Sequence, residues 1–501
     1  MRVLAKGIIE IPGTTLNLII TEGEGIKIRQ ENRNFIEMTI GKKSLEADIN
    51  NDKYYGLVCD HIIPLEPSNS HSENLLRYYK EKVLMKWAIE SSKLLVSEYG
   101  SLSRRIILSK EYFLLDHYRR KGSLFIILKN YFKILAERSL MNVDEDLLAG
   151  SLNALISEGY LKQVKYDDKF ALGHKALSHK ASYVRVFLGS MPYLGLLNLR
   201  VDVKALFHMI SFLALNIRSD NILLVDLEEM TKRHMFLETD SGLIPFSTPL
   251  PMEQPYEHIR RLGGIINTTY LVKSNLDNEL CVLKKYHEWT DLKWLPLALW
   301  ALGAYNFDAS AKRRLVNEYS MNRELKEKNF KVPKVYYISL KNKFIIEEHI
   351  EGRLFKDVII ESLKTGKGLE VIEDVLSEVA KVHNHNIVLG DANPTNMIVA
   401  EDNNVYFIDL EQAKYSDKYS WDLATLLFFT AHYIQGLSLE NLSEVLQAMV
   451  NGYLRYGDVK VIKDALSPLY LRVFSVLAFP HALIKTYVDL RRMVLALSKA
   501  S

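Results

Sequence analysis

The stretch Gly390-Asp391-Ala392-Asn393-Pro394-Thr395-Asn396 constrains this chain more than any other part of it. An aspartate and an asparagine flank a proline turn, and the apolar triplet Met397-Ile398-Val399 follows at once. A second apolar run, Val405-Tyr406-Phe407-Ile408, ends in Asp409. The pattern predicts a tight polar loop followed by two short strands. Such a loop can aim Asp391 outward, while Asn396 and Asp409 reach one point from two sides. That suits a hard divalent cation, which takes oxygen ligands and keeps part of its water. The competing reading is a plain polar hairpin with Asp391 and Asn396 as turn formers.

Residues elsewhere weigh toward the first reading. Transfer of a γ-phosphate needs the phosphate held in line with its acceptor, charge neutralised by metal ions and a lysine, and a carboxylate to orient the acceptor hydroxyl. Leu280-Cys281-Val282-Leu283-Lys284 reads as a strand whose alternation puts Val282 and Lys284 on one face. Val282 can then touch an adenine and Lys284 the α- and β-phosphates, whereas Lys285 points the other way. A helix over Ala309–Lys328 carries Glu318 midway, where it can pair with Lys284, although by itself Glu318 is one surface glutamate among many. Arg261 to Val272 predicts strand, turn and strand, and Gly263-Gly264 in the turn can cover phosphates with backbone N–H groups.

The chain has 501 residues, enough for two or three domains. With 48% hydrophobic and 25% charged residues it has the composition of an ordinary globular protein. A net charge of +3 makes no general case for nucleic acid or an anionic membrane as partner. The two cysteines, Cys59 and Cys281, argue against a disulfide framework or a cysteine-rich zinc site and fit a reducing, cytoplasmic setting. Met1–Lys6 lacks the pattern of a signal peptide. The longest apolar stretches, Trp294–Ala304 and Leu206–Leu215, fall short of the roughly 20 residues of a spanning helix and read as buried core helices. Scarce glutamine with abundant Lys, Glu and Ile leans toward a thermophile.

Ahead of the site the chain reads as several pieces. Residues 1–70 form a small β-rich unit ending in a polar linker, Pro67 to Ser72. Residues 71–104 form a helical connector. In 105–180, helices over Leu124–Leu135 and Leu147–Ile156 precede strands at Tyr160–Val164 and Phe170–Leu172. Asn142-Val143-Asp144 can cap the second helix and Gly159 can end it. This order resembles a winged helix. Nucleic-acid binding is one use of such a unit and protein docking another. The acidic start Asp144-Glu145-Asp146 repels phosphates, and the wing offers only Lys162, Lys165 and Lys169, so docking is favoured. Residues 181–255 mix helix and strand patterns, as in Ala205–Ile217 and Ile222–Val225, and end in a linker at Pro245–Pro255.

The segment from about 256 to 490 resembles the atypical protein kinases of the RIO family and the related small kinase of the KEOPS complex. More distantly it is similar to the aminoglycoside and choline phosphotransferases. GDANPTNMIV resembles the RIO-type catalytic loop, and VYFIDLEQA its metal-binding strand end. The stretch from Lys284 to Tyr319 is similar to the RIO insertion and its following helix, and Lys328–Gly352 to the strands leading to the hinge. The resemblance implies an α+β chain with a bilobal protein-kinase-like fold, N-lobe 256–350 and C-lobe 351–501, behind a mixed α/β region with a winged helix. It implies an ATP-dependent serine/threonine protein kinase using Mg²⁺ or Mn²⁺. Asp391 is then catalytic, Asn396 and Asp409 bind metal, Lys284 binds phosphate and Glu318 is its partner. Backbone groups of Glu348 and Ile350 meet the adenine edge, and Asp422 braces the catalytic loop. A small-molecule phosphotransferase and an ATPase switch in a nucleic-acid-associated complex are the alternatives. The first usually needs an acidic substrate pocket, and Leu437–Leu490 shows no acidic cluster.

Three positions depart from the kinase pattern. Leu389 replaces a histidine, so the loop must be braced differently. Gly390 replaces the arginine on which control by activation-loop phosphorylation depends. Glu347 occupies the usually apolar gatekeeper position. Twelve residues between Asp409 and Asp422 leave no room for a long activation segment.

Overall fold

The computed structural model describes residues 2–11, 14–32, 34–125, 128–178, 209–211, 213, 226–247, 256–263, 267–274, 278–288, 303–434, 437–476 and 478–500. The expectations for most of 181–225, for the linker around 248–255, for most of Trp294–Ala304 and for Gly264 lie outside these residues. The chain is α+β and divides into two compact units, one of 1–238 with 243–248, the other of 239–242 with 249–501.

In the first unit, strands β1 (Val3–Ile11), β2 (Thr14–Thr21), β3 (Ile26–Asn32), β4 (Phe35–Gly41) and β5 (Glu66–Pro67) form a sheet in the order β3-β4-β2-β1-β5. Alternate residues of β1, including Ile9 and Ile11, face the core. Helix α1 (Lys42–Asn51) follows, then the long α2 (Ser70–Tyr99). The stretch expected to be a linker, Pro67 to Ser72, is instead the end of an edge strand and a helix start. Pro67 stands opposite Gly7, and Asn69 Oδ1 accepts a hydrogen bond from Ser72 N at 2.9 Å. The short polar residues that suggested a loop are the ones that cap helices.

A second sheet, order β10-β9-β6-β8-β7, combines β6 (Ile106–Ser109), β7 (Leu161–Gln163), β8 (Lys169–Leu172), β9 (Met235–Thr239) and β10 (Gly242–Pro245). Helices α3 (Tyr112–Leu124), α4 (Lys129–Asn142) and α5 (Glu145–Ser157) lie between β6 and β7, with α6 (His174–Leu177) and α7 (Leu227–Arg233) later. The single helix expected over Leu124–Leu135 is broken, because α3 ends at Leu124 and α4 begins at Lys129. Asp144 caps α5, its Oδ1 accepting from Asp146 N at 3.0 Å, and Gly159 follows that helix with φ of 81°. The segments 1–70, 71–104 and 105–180 do not stand apart. Helix α2 packs on β1, α3 and α5, so one core serves all three.

That core holds a polar anchor. Asp48 is wholly buried, and its carboxylate accepts from the backbone N–H groups of Tyr54, Gly56, Val58 and Cys59 at 2.8–3.3 Å. One side chain thereby shapes the turn between α1 and the Leu57–Leu65 segment.

In the second unit, β11 (Tyr256–Gly263), β12 (Thr268–Ser274), β13 (Leu280–Lys285), β14 (Val335–Ser339) and β15 (Phe344–Glu348) form an antiparallel sheet in the order β11-β12-β13-β15-β14. Val272, Cys281, Phe344 and Ile346 make its small core. Helix α8 (Ala311–Glu327) connects β13 to β14. Then come β16 (Arg353–Leu354), α9 (Phe355–Thr365), α10 (Leu369–Asn384) and β17 (Ile387–Val388). Next are β18 (Met397–Val399), β19 (Val405–Phe407), β20 (Lys414–Tyr415) and α11 (Tyr419–Tyr433). Helices α12 (Leu442–Leu454), α13 (Val459–Ala465), α14 (Pro468–Phe474) and α15 (Pro480–Ala500) complete the chain. Helix α10 buries Ile372, Val375, Leu376, Val379 and His383, a three- and four-residue spacing that gives it one core face. Among the described residues no helix is long and apolar enough to cross a membrane.

Asp48→Ala would leave four buried N–H groups without their acceptor. Its expected effect is a loss of about 3–5 kcal/mol, read as a lower urea midpoint of the first unit's transition.

Candidate active site

The second unit gathers the site from four stretches of chain. Strand β13 sits between β12 and β15, and Lys284 stands opposite Thr269 on one side and Ile345 on the other. Its side chain is 6% exposed. The ammonium is 3.1 Å from Glu318 Oε2 on α8 and 3.9 Å from Glu411 Oε2, and it also bonds the Asp409 carboxylate. Burial opposes the charge on Lys284, but Asp409, Glu318 and Glu411 outweigh it and hold the pKa well above the ordinary value. Burial pushes Glu318 up to about 7, with Lys284 pulling the other way.

A second buried cation, Arg314, lies one helical turn before Glu318 and is fully enclosed. Its Nη1 donates to Glu411 Oε2 at 3.2 Å and to Asn267 Oδ1 at 2.7 Å, and its Nη2 to His287 O at 2.6 Å. Asn267 returns a bond to Glu411 Oε2 at 2.6 Å. The start of β12, helix α8 and the residues after Asp409 are thus tied by one ion-pair network. The sequence reading missed Asn267, Arg314 and Glu411. Glu411, two residues after Asp409, was the available signal.

Asp391 follows Gly390, and Asn396 Nδ2 closes the loop by donating to Asp391 O at 3.0 Å. A 3₁₀ turn over Pro394–Asn396 is capped by Asn393, whose Oδ1 also accepts from Tyr433 Oη at 3.1 Å. Burial is the main force raising the Asp391 pKa to about 7, and the charges of Asp409 and Glu411 add to it. Asp409 itself has a φ of 59°, a backbone state uncommon for a residue with a side chain.

Asp422 braces the loop from α11. Its carboxylate accepts from Leu389 N at 2.6 Å and Gly390 N at 2.8 Å, and lies 3.2 Å from His383 Nε2. Trp421 Nε1 donates to Gly390 O at 2.7 Å. The bracing done without a histidine at 389 therefore runs through α10 and α11. Gly390 has φ of 76°, and a Cβ there would meet Gln412 O at 2.3 Å and Tyr305 Oη at 2.4 Å. No side chain fits, so an arginine is sterically barred. The short segment after Asp409 is pinned where β20 pairs with β17.

Of the remaining predicted residues, Val282 faces Glu347 across β13 and β15. Glu348 N donates to Lys334 O at 2.9 Å, so any base edge it offers is its carbonyl. Ile350 follows β15, and Gly263 ends β11 opposite Thr269. Among the described residues no three His, Cys, Asp or Glu side chains form a ready cation cage. Asn396 and Asp409 supply one amide and one carboxylate. That donor set fits a Mg²⁺-like ion that completes its shell with phosphates and water.

The sequence model described as the RIO domain matches residues 304–423. That span holds Glu318, Glu347, Asp391, Asn396, Asp409 and Asp422. The second unit therefore contains a RIO-like domain. Over 106 residues, 21% of this chain and 47% of the relative, the sequence is 37% identical to the KEOPS complex subunit Bud32 of Pyrococcus abyssi. Over 150 residues it is 29% identical to a probable bifunctional tRNA threonylcarbamoyladenosine biosynthesis protein of Methanococcus vannielii, covering 30% of this chain and 26% of that one. The EKC/KEOPS complex subunit bud32 of Dictyostelium discoideum is 25% identical over 169 residues, 32% of this chain and 66% of the relative. The chain thus spans less than half the length of the first two of these relatives.

Arg314→Leu would strand Glu411 and Asn267 in the interior. We expect a loss of about 3–5 kcal/mol in denaturant unfolding, with Arg314→Lys in between because lysine keeps the charge and loses the fork. Asp391 carries a pH signature. Folding takes its pKa from 3.8 to about 7. Between those values the unfolded chain has lost the proton and the folded one has kept it, so stability falls as pH rises. Asp391→Asn should therefore gain about 1–2 kcal/mol over wild type near pH 8 and nothing below about pH 4, measured by urea unfolding at both.

Proposed function

We propose that residues 256–501 are an ATP-dependent phosphotransferase that moves the γ-phosphate onto serine or threonine hydroxyls of proteins, its own chain included. In this reading 256–350 is the N-lobe and 351–501 the C-lobe. The observation that carries it is the buried Lys284 ammonium, held by Glu318 and Asp409 beside the Asp391 loop.

Each residue then has a task. Val282 packs on the base, and the hinge from Glu348 to Ile350 offers it backbone groups. Lys284 turns from Asp409 toward the phosphates while Glu318 keeps it in place. Gly263 at the end of β11 covers them. Asn396 and Asp409 hold Mg²⁺ or Mn²⁺, which supplies neutralisation of phosphate charge. Asp391 orients the acceptor hydroxyl and takes its proton late in transfer. A carboxylate with a pKa near neutrality suits that exchange.

A second reading is favoured by the relatives, two of which are described as subunits of the KEOPS complex. In it, ATP is hydrolysed to drive a tRNA-modifying assembly, with protein partners bound by the remaining surfaces. The first unit supports docking on protein over nucleic acid. Asp144 at the start of α5 is engaged by Arg77 at 2.9 Å, Lys110 by Glu145 and Asp168 at 3.1 Å, and wing residue Lys165 by Glu238 at 2.5 Å.

Incubation with γ-labelled ATP and Mg²⁺ tests both. Wild type should place label in its own chain or a protein acceptor. Asp391→Ala should lose about 100-fold or more, and Asp409→Ala all detectable transfer. Undiminished labelling in both variants refutes the assignment. Label released as free phosphate, with none in protein, selects the hydrolysis reading.

A further inference from the structure

The Glu347 carboxyl has no task in the site as described, yet it lies inside it. Glu347 stands opposite Val282 in the β13–β15 register, and cross-strand partners share a sheet face. Lys284 shares that face with Val282. The side chain therefore points to the same side as the base seat and the phosphate lysine, one residue before the hinge. It is 6% exposed, and its Oε1 has no hydrogen-bond partner among the described residues. Glu318, Lys284 and Asp409 are its charged neighbours. Burial, then Glu318, holds its pKa well above the carboxylate range, with Lys284 opposing. The buried hydroxyl of Tyr286, close enough to feel the Glu347 charge, is likewise unpartnered. An orphaned buried polar atom is unfavourable, and an apolar residue at this place would avoid the cost. A ligand group that meets the free oxygen would remove that cost.

We infer that Glu347 is a specificity-determining residue that reads the 6-amino group of a purine and selects 6-aminopurine over 6-oxopurine nucleotides. The inference rests on the nucleotide-binding reading above. An exocyclic amino group has two N–H bonds. One can point to the Glu348 carbonyl at the hinge and the other inward, to Glu347 Oε1. A carboxyl offers an acceptor oxygen in either protonation state. A 6-oxo group presents lone pairs to both oxygens, and at Glu348 nothing relieves the opposition. The contact adds selectivity because a site built to meet an N–H leaves a buried acceptor unmet when the N–H is missing.

The test compares ATP, GTP and purine riboside 5′-triphosphate, which has hydrogen at position 6, by calorimetry with Mg²⁺. Wild type is expected to bind ATP about tenfold or more tighter than either of the others. Glu347→Leu should weaken ATP about tenfold and leave purine riboside triphosphate unchanged, while Glu347→Gln, which keeps a carbonyl acceptor, stays near wild type. Equal weakening of ATP and purine riboside triphosphate in Glu347→Leu would make the residue structural and overturn the inference. So would wild-type indifference to the 6-substituent, a result that needs no variant to fold. If wild type binds ATP and its discrimination survives in Glu347→Leu, only this inference falls. If wild type binds no triphosphate, the nucleotide-binding reading falls with it.

Discussion

Lys284 is an ammonium taken almost wholly out of water, and the site is arranged around keeping it charged. Burial alone would favour its neutral form. Three carboxylates, Glu318 on α8 with Asp409 and Glu411 just after β19, reverse that preference. With Glu347 and Asp391 added, five carboxyl groups share the space with two buried cations, Lys284 and Arg314. Burial, reinforced by the neighbouring carboxylates Asp409 and Glu411, brings Glu318 and Asp391 to a pKa of about 7. Such a cluster favours an added positive charge, which is what a metal–phosphate complex brings at its metal end.

The scaffold serves that balance. The sheet of the second unit fixes Lys284 between two neighbouring strands, so its backbone cannot move to relieve the charge. Helix α8 contributes two charged residues one turn apart, Arg314 and Glu318, on one face. The loop at 389–396 is held by the Asp422 carboxylate, which accepts from the N–H groups of Leu389 and Gly390, and by the Trp421 indole. None of these braces can shift independently, because the core of the second unit runs through Leu389, Ala392, Trp421 and Leu423.

Part of the site was legible in the sequence. The polar loop with Asp391 and Asn396, the strand end at Asp409 and the strand carrying Lys284 each rest on patterns spanning only a few residues. Spacing and alternation suffice for those. The helix around Glu318 was equally local. The Asn267–Arg314–Glu411 network was not legible, since its members are 47 and 97 positions apart and each alone is an ordinary polar residue. In the first unit the turn shaped by Asp48 and the break between α3 and α4 were missed. Short polar stretches look alike whether they form a linker, a cap or a bonded turn, and the partner that decides lies elsewhere in the chain.

The sequence by itself determined which residue types stand at which local spacing. That was enough for the loop, the strands on either side of it and the class of chemistry they suit. Tertiary structure decided which charges meet, which of them lose water and which atoms are left without a partner. Those are properties of distance and burial, and a one-dimensional order of residues does not contain them. The lone oxygen of Glu347 and the closed space around Gly390 exist only because strands, helices and loops from separate stretches pack against each other.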